Sequence, residues 1–129
     1  MQMFDLVDDI ESYPEFLPWC QRADIRRRTE DVVEATLDVG LGGVYKQFST
    51  RNRLLRPQLI EIKLLEGPFR SLDGAWHFED LGESGSNVSL KLDFDMSLSP
   101  LNMAFAVLFE EVARSQVNAF TSRAETLYG

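Results

Sequence analysis

Residues 88–128 read VSLKLDFDMSLSPLNMAFAVLFEEVARSQVNAFTSRAETLY, and the change of period inside this stretch decides the fold. Val88, Leu90, Leu92, Phe94 and Met96 alternate with Ser89, Lys91, Asp93 and Asp95. A period of two sends the apolar set to one face of a sheet and the charged set to the other. The period then lengthens. Ser99 suits a helix N-cap, Pro100 suits the first helical position, and Gly129 suits a stop. At 100° per residue, Leu101, Phe105, Leu108, Val112 and Ala119 fall on one stripe flanked by Phe109 and Phe120. Gln116 and Arg123 lie on or near that stripe, and buried polar groups need partners.

Upstream, five more segments read as strands: 22–29, 32–41, 44–55, 59–65 and 72–78. Gly42-Gly43, Pro57 and Gly67-Pro68 punctuate them, and Gly82 to Gly85 forms a loose hairpin. Gly74 marks a bulge or a close approach of backbones. Met1 to Asp8 reads as a helix with Met3, Phe4 and Val7 on one face. Ser12-Tyr13-Pro14-Glu15 reads as a capping box, with Ser12 as N-cap. The helix it opens is very short, because Pro18 disfavours helical geometry at Leu17. A meander with one apolar face and one long amphipathic helix has an economical solution: the sheet curls and grips the helix, an α+β architecture. The two surfaces do not fill the space between them completely, so a cavity is expected there.

A chain of 129 residues fits one domain, residues 1–129. No apolar run reaches the ~18 residues that a membrane span needs. The start has no basic n-region or secretory apolar core, and Cys20 is a lone cysteine. These features imply a reducing compartment, the cytoplasm. The net charge of -8 argues against DNA as a partner. It is unevenly spread: residues 22–70 carry ten Lys/Arg against seven acids, leaving -11 on the rest. One basic face on an acidic body is the expectation.

The side chains needed for catalysis are scarce. His77 is the only histidine and falls on the strand face opposite Trp76 and Phe78, toward solvent. No histidine cluster or second thiol is available for a metal. No catalytic residue, metal or cofactor is expected. Trp76, Phe78, Phe94, Met96, Phe105 and Phe109 fit either a solid core or a lined pocket. Tyr13, Phe16, Leu17 and Trp19 lie in a loop-like segment at the cavity mouth, as a packed lid or a gate. Met103 and Val107 fall off the main helical stripe, where they would meet the lid or a partner. Arg26, Arg28, Arg51 and Arg53, with Arg27 and Arg56 nearby, make a solvated face or a phosphate-binding patch.

Four strings carry a family resemblance: residues 9–20 (DIESYPEFLPWC), 48–52 (FSTRN), 66–76 (EGPFRSLDGAW) and 119–124 (AFTSRA). They resemble the ribosome association toxin family RatA. That group is similar to the mitochondrial coenzyme Q-binding START-domain proteins and, more distantly, to polyketide cyclases. The resemblance implies a START-like helix-grip fold. It also implies two activities: binding of ubiquinone or a related isoprenoid lipid in support of respiration, and association with the large ribosomal subunit that blocks subunit joining. The family opens on a strand before the first helix, whereas this sequence opens in that helix; the strand is either missing or precedes Met1. With the resemblance, the expected ligand-binding set is Phe16, Trp19, Leu37, Phe48, Trp76, Phe78, Leu92, Phe94, Met96, Phe105, Phe109, Val112 and Gln116. Gln116 or Arg123 would donate to a quinone carbonyl, although a structural bond to a strand carboxylate also suits Arg123. The possible ribosome-binding set is Arg26, Arg28, Arg51 and Arg53.

Overall fold

The computed structural model describes residues 2–41, 44–67, 69–80, 86–96 and 100–128. The Gly42-Gly43 turn, the Gly82 to Gly85 hairpin, Pro68, Ser99 and the two terminal residues lie outside the described residues. A first helix, α1 (Gln2–Asp8), is followed by a 3-10 helix (Ile10–Glu15). Six strands follow: β1 (Cys20–Arg28), β2 (Val32–Leu41), β3 (Val44–Leu55), β4 (Leu59–Glu66), β5 (Phe69–Asp80) and β6 (Ser86–Met96). The chain closes on α2 (Pro100–Tyr128). The sheet is a meander in the order β1-β2-β3-β4-β5-β6, antiparallel throughout, with β1 and β6 at its edges.

Register explains the core. Directly paired residues share a face, so the alternating apolar residues converge on one side: Ala35 meets Thr50, Leu37 meets Phe48, Leu54 meets Ile60, and Trp76 meets both Ile60 and Leu90. Irregularities in β1, at Ser49/Thr50 and at Phe69/Ser71 bend the strands, which lets a six-stranded sheet curl. Gly74 sits in regular pairing between Ile62 and Leu92, so it is no bulge. It is a close approach: a Cβ there would stand 2.5 Å from the Lys91 carbonyl oxygen. Gly67 combines a φ of 152° with a crowded site, where an added Cβ would stand 2.6 Å from the Phe48 Cβ, which favours glycine.

The helix lies against the inward face, but rotated from the expected stripe. Phe105, Phe109, Val112, Gln116 and Phe120 form its buried line, while Leu108 and Ala119 are only half-buried. The flanking phenylalanines win because each finds aromatic partners on the sheet. Phe109 meets Phe48, Phe69 and Phe94, and Phe120 meets Trp76 edge-on at 5.2 Å. Leu101's side chain lies outside the described residues.

The expected capping box is absent. The 3-10 helix starts one turn earlier, with Asp9 at its N-cap, and Ser12 Oγ donates to Asp9 Oδ2 at 2.7 Å instead of capping a backbone N–H. In α1, Phe4, Leu6 and Val7 are buried and Met3 is half-buried. Its last residue, Asp8, is buried and accepts hydrogen bonds from Arg28 at 3.0 Å and Arg56 at 2.9 Å.

Candidate functional site

A chamber of about 80 Å³ lies between the inward sheet face and the middle of α2. Its walls include Trp19, Leu37, Phe48, Trp76, Leu92, Phe109, Val112 and Gln116 from the expected set. Phe16, Phe78, Phe94, Met96 and Phe105 do not reach it, and the contacts of the four phenylalanines say why. Phe78 is covered by Phe4 of α1, edge-on at 5.4 Å. Phe16 packs against Tyr13 and Phe120 under the Arg123 guanidinium. Phe94 and Phe105 join Phe69 and Phe109 in a second aromatic cluster, where Met96, the cross-strand partner of Phe69, is also buried. Two aromatic clusters plug the ends of the groove, and the chamber is the space between them. The aromatics therefore satisfy both readings that pattern alone left open.

The strand alternation also puts residues here that aromatic content did not single out. Thr50 and Asn52 follow Phe48 at a spacing of two on β3 and line the chamber with Ile10, Tyr13, Ala35, Ile62, Leu72, Leu90 and Ala113. Polar residues at inward positions between the buried Phe48 and Leu54 were the missed signal. Both are buried, and Asn52 Oδ1 has no hydrogen-bond partner among the described residues.

Gln116 is oriented by its neighbour. Trp19 Nε1 donates to Gln116 Oε1 at 3.1 Å. An indole N–H is only a donor, so the amide oxygen must face Trp19 and the NH₂ group must point elsewhere. Tyr13 donates its hydroxyl to the Val7 carbonyl, and burial pushes its pKa far above the usual phenol range. Arg123 finds its carboxylate on the 3-10 helix rather than on a strand, with Nη2 at 3.5 Å from Glu15, so it holds the lid and does not line the chamber.

Leu17 and Trp19 are buried and Phe16 is half-buried, so this segment packs on the core as a lid. Of the four half-exposed lining residues, Ile62 is on β4, and Leu90, Leu92 and Ala113 lie on the β6–α2 seam. An outer groove shares those three and continues along Asp93, Phe94, Glu110 and Arg114. Met103 and Val107 are 57% and 68% exposed, so they meet no lid.

The arginines do not form a bare patch. A register shift between Ile25 and Arg27 breaks the alternation of β1 and turns Arg28 toward Asp8 under α1. On the outer face Arg26 pairs with Glu66, Arg51 with Glu34 at 2.7 Å, and Arg53 with Glu61 at 3.4 Å. His77 is exposed. Cys20 is buried, and burial pushes its thiol up to about 11. Among the described residues no group of three metal-ligating side chains occurs, and no helix is long and apolar enough to cross a membrane.

The model of the family described as polyketide cyclase / dehydrase and lipid transport matches residues 1–121. The ribosome association toxin RatA of Vibrio cholerae is 41% identical over 99% of this chain and 89% of its own length. The mitochondrial coenzyme Q-binding protein COQ10 homolog B of Xenopus laevis is 32% identical over 99% of this chain and 54% of its own. Among solved structures, the ZhuI aromatase/cyclase of a Streptomyces species superposes with a TM-score of 0.84 at 17% identity, covering 96% of this chain and 85% of that one.

Proposed function

Because the chain belongs to the polyketide cyclase / dehydrase and lipid transport family, we propose that its chamber receives the head of an apolar lipid, an isoprenoid quinone such as ubiquinone. The observation that carries this reading is a chamber with apolar walls and a few polar groups, set between sheet and helix at the core of the domain. Trp76, Leu72, Leu37, Val112 and Phe109 offer contact to a ring, and the Gln116 amide N–H offers a donor to a head-group oxygen. The tail would leave through the β6–α2 seam and lie along the outer groove. Each buried CH₂ of that tail contributes ~0.8 kcal/mol. A relative named for coenzyme Q binding supports the same chemistry.

Size sets a condition. The chamber measures about 80 Å³, whereas an apolar cavity that takes up benzene has roughly 150 Å³. A substituted ring therefore enters only if the seam parts, and Leu90, Leu92 and Ala113 are the groups that must move. Binding without catalysis is the reading favoured here. Tyr13 is the titratable side chain on the chamber wall, and its proton is held by the Val7 carbonyl and by burial. Native mass spectrometry of gently purified protein tests the proposal: a co-purifying isoprenoid quinone is expected. A protein that carries no lipid and takes up no short-chain quinone on titration overturns it.

A second reading is association with the large ribosomal subunit in the cytoplasm. The observation in its favour is a relative named RatA, 41% identical over nearly the whole chain. Docking on rRNA phosphates would have to compete with the carboxylates that already pair Arg26, Arg51 and Arg53. Arg51→Glu combined with Arg53→Glu should then abolish co-sedimentation with large subunits and leave lipid uptake unchanged. Association that survives both the double change and high salt counts against an electrostatic docking face.

A further inference from the structure

Asn52 stands in the middle of β3, paired with Val33 on one side and Ile62 on the other. Both neighbours are apolar, and a leucine would suit the position by pattern. The residue is an asparagine, 9% exposed, on the chamber wall, with Oδ1 buried and without a donor among the described residues. A buried amide oxygen without a donor is uncommon and costly. On the facing helix, Gln116 turns its NH₂ away from Trp19, because its oxygen is held by the indole N–H. The chamber thus combines an acceptor that lacks a donor with a donor oriented by its neighbour.

A hydroxyl group uses both. Its O–H donates to Asn52 Oδ1, and its lone pairs accept from Gln116 Nε2. A carbonyl oxygen can accept from Gln116 but has nothing to give Asn52. A ligand that enters displaces whatever water serves that oxygen, and a group that cannot reproduce the bond loses affinity. We infer that the site selects the hydroxyl-bearing form of its ligand, a quinol over the corresponding quinone, and that Asn52 is the residue that decides the selection. The inference rests on the reading of the chamber as a lipid head-group site. An aliphatic alcohol would present the same hydroxyl without a ring.

The test is anaerobic equilibrium dialysis of the full chain against three probes: decyl-ubiquinone, its borohydride-reduced quinol, and decan-1-ol. The quinol should bind about tenfold more tightly than the quinone, the ratio that corresponds to ~1.4 kcal/mol. Asn52→Leu should bring the two within about twofold, by weakening the quinol, which loses its acceptor, and by tightening the quinone, which no longer strands a buried oxygen. If that variant does not fold by circular dichroism, Asn52→Thr reads the same effect, because its hydroxyl serves carbonyl and hydroxyl alike. Decan-1-ol as tight as the quinol supports the hydroxyl assignment and gives an aliphatic alcohol as the source. Decan-1-ol weaker than the quinol supports a ring-borne hydroxyl. Quinone binding as tight as quinol, or a preference that survives loss of the Asn52 amide, overturns the inference while the head-group reading stands. Failure of all three probes to bind overturns both.

Discussion

A tryptophan indole can donate a hydrogen bond but cannot accept one, and that restriction organises the polar end of the chamber. Trp19 is buried beside the lid, and Gln116 of α2 is its acceptor. Gln116→Leu removes that acceptor and leaves a buried N–H unpaired, so urea denaturation should report a loss of about 1–3 kcal/mol. Cys20 makes a different prediction, in pH. Its thiol ordinarily titrates at 9.0, and burial raises it to about 11 in the folded chain. Below about 9 the thiol is protonated in both states and has no effect. Between about 9 and 11 the unfolded chain releases its proton first, so folding stability falls as pH rises. Cys20→Ala should flatten that slope in unfolding curves measured at pH 8 and pH 10.5. Iodoacetamide should leave native Cys20 largely unmodified at pH 8.

At the scale of elements, α1 is too short to hold its place by helix propensity alone. It is latched by packing and by Asp8. Phe4 lies edge-on to Phe78, and the Arg56 guanidinium sits 4.9 Å over the Phe4 ring. Arg28 and Arg56 then meet the buried Asp8 carboxylate. Both arginines are partly exposed, which weakens each pair relative to a buried one. Asp8→Ala should therefore cost about 1.5–2 kcal/mol, the low end of the range for hydrogen bonds to charged groups. Its signature should be local: amide exchange accelerates in α1 and the 3-10 helix more than in β2 and β3. Uniform acceleration across the sheet would contradict a latch. β1 shows how one irregularity redistributes function at this scale. Regular alternation would put residues 26 and 28 on the same face. The shift after Ile25 sends Arg28 to the latch and leaves Arg26 on the outer face with Glu66.

For the molecule as a whole, the decisive quantity is the space between sheet and helix. Two aromatic clusters fill the ends of the groove and leave the chamber between them, so the same class of side chain serves different purposes along its length. Phe105 is 0% exposed and belongs to a cluster. Leu92 is half-exposed and borders the seam. A charge at the two positions should separate these roles. Leu92→Lys should abolish lipid uptake with the circular dichroism spectrum retained, because the new ammonium can reach water from the seam. Phe105→Asp should unfold the protein, because its charge has no exit. Retained uptake in a folded Leu92→Lys variant would show that ligands do not pass this seam.

The periods in the sequence by themselves determined the elements and their order. Alternation in residues 88–96 and the helical stripe after Pro100 are local properties, set by the geometry of one strand and one helix. The side of His77 and the apolar wall of β2 followed from the same arithmetic. The family strings at residues 9–20 and 66–76 carried the resemblance; the first lies on the lid, and residues 69–76 of the second lie on the strand bearing Trp76. Three things were decided only when the elements met. The rotation of α2 depends on which phenylalanines find aromatic partners across the groove, and Leu108 lost to Phe109 because of residues on β3, β5 and β6. The fate of the arginines depends on a register shift and on carboxylates brought near by pairing, such as Glu34 opposite Arg51. The cavity is the volume left after packing. It depends on how all the lining side chains fill a curved groove together, which no local period encodes.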